Sequence, residues 1–211
     1  MASRRRRDRL LGTAIAGVAF VALFTPALFL GETFGDRDLA SYHRPLTALV
    51  ARLTGASSTF PPPWNPYLES GQPYAASPAH AYFHPLTTLF LLLPFESAFR
   101  MQVLLPVLGA ALSIGFLLVT LGRSFGAAVF GAISFAFGGY FLSATSLFPT
   151  LRTAAVLPLA AAFAFRLARK ARPRDVAGLA LSLGLAALAP EPSLLLATPL
   201  VLAVAAHCGR K

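Results

Sequence analysis

The strongest constraint on this chain is a succession of long apolar stretches that carry no charge. Residues 10–31 form the first, and further uncharged runs follow at about 101–122, 124–144, 153–165, 176–189 and 193–206. A helix of about 20 such residues crosses the hydrocarbon core of a bilayer, where no water can satisfy a bare backbone amide. The run 147–151 lengthens the segment 153–165. The last two runs are near the lower length limit and could form a hairpin that crosses only in part. The pattern predicts an all-α fold, a polytopic transmembrane helix bundle of about six spans. Composition agrees: 56% of residues are hydrophobic and 12% charged, against about 25% charged in soluble domains.

A net charge of +10 would suit a nucleic-acid partner. The basic residues, however, cluster beside the apolar runs, as at helix ends held by an anionic membrane surface, so no nucleic acid is expected and the lipid bilayer is the first partner. With the N-terminus inside, the inner face takes the arginines at 4–7, Arg9, Arg123, Arg166, Arg169, Lys170, Arg172, Arg174, Arg210 and Lys211. The outer face takes only Arg37, Arg44, Arg52, Arg100 and Arg152. That asymmetry follows the positive-inside rule and puts both termini in the cytoplasm. Residues 10–31 could instead be a secretory leader, but the stretch is long and closes on Phe29-Leu30-Gly31-Glu32 without a small-x-small site. The expected organisation is a basic cytoplasmic tail (1–9), a first span (10–31), an extracytoplasmic loop (32–100), the remaining spans (101–206) and a second basic tail (207–211). Cys208 is the lone cysteine, so no intrachain disulfide can form.

The chemistry gathers in the loop, which holds Glu32, Asp36, Asp38, Glu69, three of the four histidines and the only tryptophan. Leu39, Tyr42, Leu46, Leu49, Val50 and Leu53 recur at helical spacing, which predicts a helix lying along the interface. Residues 86–93 are apolar but too short to span. Asp36 and Asp38 stand two apart; they could both ligate a divalent ion, or one could act as a base. The plainer alternative is a solvated turn with Asp38 as N-cap of the following helix. His43 with Arg44 could hold a phosphate. His80 and His84, four apart, have zinc-like spacing but no neighbouring Glu, so no metal site is expected there and packing or a head-group contact suits them better. Glu191, between Pro190 and Pro192, lies in an outer turn that could face Asp38 or be a plain turn. Trp64 and Tyr67 suit a membrane interface, while Asn65, Glu69 and Gln72 suit a sugar or an amide.

Trp64-Asn65-Pro66-Tyr67, Ser70-Gly71-Gln72-Pro73 and Tyr82-Phe83-His84-Pro85-Leu86 resemble the first outer loop of bacterial YfhO-like membrane proteins, themselves similar to the GT-C glycosyltransferase superfamily. Arg37-Asp38, Tyr42, Pro45, Phe137-Gly138-Gly139-Tyr140 and Pro190-Glu191-Pro192 continue the likeness, although Pro63 replaces the usual Leu. The match covers only the N-terminal half of such proteins, so the chain is expected to be a fragment or a reduced relative.

The resemblance implies a bacterial inner-membrane enzyme that moves a sugar from a polyprenyl-phosphate donor to an extracytoplasmic glycan or lipid acceptor. It implies Asp38 as base, assisted by Asp36 or Glu191. Tyr42, His43, Arg44, Trp64, Asn65, Tyr67, Gln72 and His84 would bind substrate. No cofactor is required, though a divalent metal at Asp36 and Asp38 stays open. A transporter or lipid flippase would need midplane polar residues or an inverted repeat. A non-catalytic assembly subunit would need a partner protein.

Overall fold

A computed structural model describes residues 2–35, 37–57, 62, 64–67, 70–74 and 81–210, and for residues 2–11, 13, 15, 16 and 54–57 the backbone alone. Helix dominates. α1 (Ala2–Phe29) is followed by a π-helical turn (Leu39–His43) that runs directly into α2 (Arg44–Ser57). Two short strands, β1 (Trp64–Asn65) and β2 (Gln72–Pro73), pair antiparallel with Trp64 opposite Pro73 and Asn65 opposite Gln72. A 3-10 turn (Pro85–Thr88) and α3 (Leu89–Leu92) lead into α4 (Phe95–Thr120). Then come α5 (Phe125–Ala136), α6 (Gly139–Ala144), α7 (Phe148–Arg169), α8 (Pro173–Ala187) and α9 (Pro192–Arg210).

Among the described residues three helices are long and apolar enough to cross a membrane: α4, α7 and α9, of 26, 22 and 19 residues. At about 1.5 Å per residue even α9 reaches about 28 Å, close to the thickness of a hydrocarbon core. The apolar part of α1 (Gly17–Phe29) and α5 are shorter.

The apolar run 124–144 is not one helix. It breaks at Phe137-Gly138, and Gly138 turns back so tightly that a Cβ there would lie 2.6 Å from the Ser134 carbonyl oxygen. Gly138→Ala therefore forces the backbone apart. The expected cost is about 1–3 kcal/mol, the scale of overpacking at a tight contact, read as a lowered unfolding midpoint in detergent.

α7 is the centre of the bundle, packing on α4, α8 and α9; α4 also carries α5, and α1 lies on α5. Lipid tails are as apolar as leucine, so such helices associate through close packing and hydrogen bonds rather than hydrophobic expulsion. Small residues provide the closeness. Ala154, Ala155, Ala160, Ala161, Ala162 and Ala164 of α7 are buried. Gly209 of α9 sits so near α7 that an added Cβ would meet the Phe165 carbonyl oxygen at 2.5 Å, and one on Gly178 would meet the Phe163 ring at 2.4 Å. The Ser113 hydroxyl donates to the Ala155 carbonyl across the α4–α7 contact at 2.6 Å. At the other end of α8, Thr153 donates to the Ala189 carbonyl, which ties the turn before α9 to α7.

The segment between α1 and α4 has a small core of its own: Leu46, Val50, Tyr74 and Tyr82, with Leu53 against it. Burying each such side chain from water is worth about 1.5–3 kcal/mol. The apolar stripe expected to lie along a membrane surface thus places Leu46, Val50 and Leu53 against this core, whereas Tyr42 is exposed. Burial pushes the Tyr74 hydroxyl up to about 12 and the Tyr82 hydroxyl higher still, so both stay neutral.

Candidate functional site

A cavity of about 480 Å³, lined by polar and apolar residues, lies where three elements end. The turn Leu39–His43 supplies Tyr42 and His43, with Asp38 just before it; the start of α7 supplies Leu147, Pro149 and Thr150; the turn before α9 supplies Pro190, Glu191 and Pro192. The widened π turn sorts its side chains. Asp38 and Tyr42 are exposed on one side, while Leu39 and His43 are buried on the other. π turns of this kind recur at functional sites. The chain enters it through Arg37, whose φ of 50° is the left-handed region. Asp38 holds the N-cap position, but its carboxylate makes no capping hydrogen bond.

The floor of the cavity is held by hydrogen bonds. The Glu191 carboxylate accepts from the Thr150 hydroxyl at 2.9 Å and from the Ser193 hydroxyl at 2.8 Å. The Glu191 carbonyl takes the Leu195 N–H at 2.9 Å, so Glu191 begins α9 with Pro192 at the first helical position, where a missing N–H costs nothing. The positive ends of α7 and α9 both face this carboxylate and offset its charge. The buried His43 ring packs 4.7 Å from that of Phe148. The lining thus combines two carboxylates, an imidazole, two hydroxyls and apolar walls of proline and leucine.

The sequence-derived residues separate into two groups. Asp38, Tyr42, His43 and Glu191 are brought together. Arg44, Trp64, Asn65, Tyr67, Gln72 and His84 are not among the residues lining this cavity. Arg44 forms an ion pair with Glu96 of α4. Asn65 is fully buried and its Oδ1 accepts from the Tyr67 N–H at 2.9 Å, which closes the turn after β1. Asp36, Glu69 and His80 lie outside the described residues. Among the described residues no group of three or more His, Cys, Asp or Glu is placed to hold a metal ion.

A second polar cluster, not foreseen from the sequence, lies behind Phe148. Arg152 is only 3% exposed, yet it is paired with no carboxylate among the described residues. One guanidinium nitrogen donates to Gln102 Oε1, the cation lies 5.2 Å from the Phe148 ring centroid, and Nε and Nη1 have no partner. Gln102 Nε2 donates to the Leu86 carbonyl at 2.7 Å, so this amide joins α4, α7 and the outer segment. The signal was present: Gln102 is the one amide side chain in the apolar run 101–122.

His84 begins the 3-10 turn, its Nδ1 accepting from the Leu86 N–H at 3.3 Å. Burial, and then the charge of Arg152, lower its pKa from 6.5 to about 3. The folded value lies below the unfolded one, so the unfolded chain binds the extra proton. Stability is fully present above pH 6.5 and is lost as pH falls toward 3. The expected slope is at most about 1.4 kcal/mol per pH unit. Unfolding in detergent across that window checks it, with His84→Asn expected to flatten the dependence.

The class that these features define is a nearly all-α chain with helices of membrane-crossing length and a cavity holding two carboxylates among helix ends. No protein-family model, curated protein or solved structure matches the chain.

Proposed function

We propose that this chain is a membrane glycosyltransferase of the GT-C, YfhO-like kind, or the N-terminal part of one. It acts on the outer face of a bacterial cytoplasmic membrane, with about six spans and both termini inside. The observation that carries the reading is the shared cavity of Asp38, Tyr42, His43 and Glu191, which joins the segment after α1 to the turn before α9. Those are two of the places where the sequence resembles that family.

In the proposed reaction the Asp38 carboxylate takes the proton of an acceptor hydroxyl. The acceptor oxygen attacks the anomeric carbon, the bond from that carbon to the phosphate oxygen breaks, and polyprenyl phosphate leaves. Tyr42, His43 and Thr150 orient the sugar. Glu191, already engaged by Thr150 and Ser193, is a positioning residue. The donor phosphate lies near Arg44, Arg52 or Arg152. Among the described residues Arg152 has two guanidinium nitrogens without a partner, whereas Arg44 is engaged by Glu96.

The test is transfer of radiolabelled sugar from polyprenyl phosphate in membranes containing this chain, beside its Asp38→Asn form. Equal transfer by the two would remove Asp38 as base. Flux of a labelled lipid that depends on this chain and is unaffected by Asp38→Asn would replace the enzyme with a flippase.

A further inference from the structure

The strands β1 and β2 hold Trp64 in an unusual way. Gly71 has φ +108, a conformation that L side chains rarely adopt, and a Cβ there would lie 2.8 Å from the indole ring. The indole therefore rests on bare backbone, and yet Trp64 remains 53% exposed. Tyr67, in the turn after β1, is 72% exposed. Residues 64–67 and 70–74 carry no charged side chain; Glu69, between the strands in the sequence, lies outside the described residues. A fixed aromatic platform with an open side is costly to leave in water, and none of its residues is needed by the cavity at Asp38.

Other apolar residues of the outer segment and of the end of α1 are exposed too. Phe83 is exposed, and so are Leu91, Leu92 and Leu93 immediately before α4, the longest helix of membrane-crossing length. Phe29 and Leu30, at the end of α1, are exposed as well. The exposed apolar residues of the outer segment thus run on, through Leu91–Leu93 in sequence, into a helix suited to lipid. Indole and phenol rings partition to the head-group boundary, where one end is apolar and the other wet.

We propose that the Trp64–Pro73 hairpin is a membrane anchor, with the Trp64 and Tyr67 rings inserted at the boundary between lipid head groups and acyl chains. Its partner is the phospholipid bilayer itself. The anchor holds the outer segment down on the membrane and is independent of whether the chain transfers sugar.

Trp64 is the only tryptophan, so intrinsic fluorescence reports this hairpin alone. The full chain is reconstituted in phosphatidylcholine nanodiscs, with bromine placed either high in the acyl chain or near its methyl end. The expected result is blue-shifted emission, lost largely to the shallow bromines and little to the deep ones, and poorly quenched by aqueous iodide. Trp64→Phe abolishes the signal, and Gly71→Ala, by dislodging the ring, weakens shallow quenching. Emission quenched by iodide and untouched by brominated lipid overturns the proposal. So does loss of iodide quenching only on adding soluble oligosaccharide, which would make the ring a sugar platform.

Discussion

Asp38→Asn is expected to lower sugar transfer by about a hundred- to ten-thousand-fold, the usual contribution of a positioned general base. It should do so without changing membrane insertion or the unfolding midpoint. The carboxylate is exposed and makes no capping hydrogen bond, so no fold-stabilising contact in the described structure is lost with its charge. The neutral amide keeps the shape and cannot take the proton. Glu191→Gln should behave differently. Its carboxylate is held by Thr150 and Ser193, which orient the turn before α9. The two hydroxyls reach different oxygens, so the amide of Gln keeps one of these bonds as acceptor and must donate in the other; a smaller loss, about tenfold, is expected for a positioning residue. Equal losses in the two variants would argue against separate roles, and a loss matched by poorer folding would make both structural.

The second large effect lies in the amide that holds Arg152. Gln102→Leu removes the one hydrogen-bond partner that the described residues give a guanidinium that is 3% exposed, and with it the link to the Leu86 carbonyl. Leaving a buried donor without its acceptor costs about 1–3 kcal/mol, and more when the donor is charged. Replacing both partners by apolar groups of similar volume is commonly neutral or stabilising. The double variant Gln102→Leu with Arg152→Met is therefore expected to recover most of the stability lost by Gln102→Leu alone. Unfolding midpoints of the four forms in one detergent provide the cycle. Additive losses would show that the guanidinium does not depend on Gln102. If Arg152 also meets the donor phosphate, the recovered double variant should fold and yet fail to transfer. That separation of stability from activity is what a retained buried charge would explain.

The apolar runs were sufficient to foretell helices, because in lipid each span must satisfy its backbone within itself, and residue type and run length are local properties. They did not reveal the break at Gly138. That break depends on how closely the chain returns to the Ser134 carbonyl, which no count of apolar residues contains. They did join 147–151 to 153–165 across Arg152, and α7 runs through that charge without a break. What they did not show is that Gln102 of α4 receives the guanidinium in the fold.

The candidate site shows the same division. The sequence by itself determined which residues could carry chemistry: a carboxylate at 38 beside Tyr42 and His43, a second carboxylate held between prolines at 191, and an aromatic segment around Trp64. Only the tertiary structure decided that Glu191, some 150 residues further along, shares a cavity with Asp38, and that Asn65 is buried within its own turn. The physical reason is range. Helix formation and charge placement are set by neighbours in the chain, whereas a cavity is made by the ends of helices. Where those ends meet depends on small residues and hydrogen bonds, such as that of Thr153 to the Ala189 carbonyl, on elements far apart in the sequence.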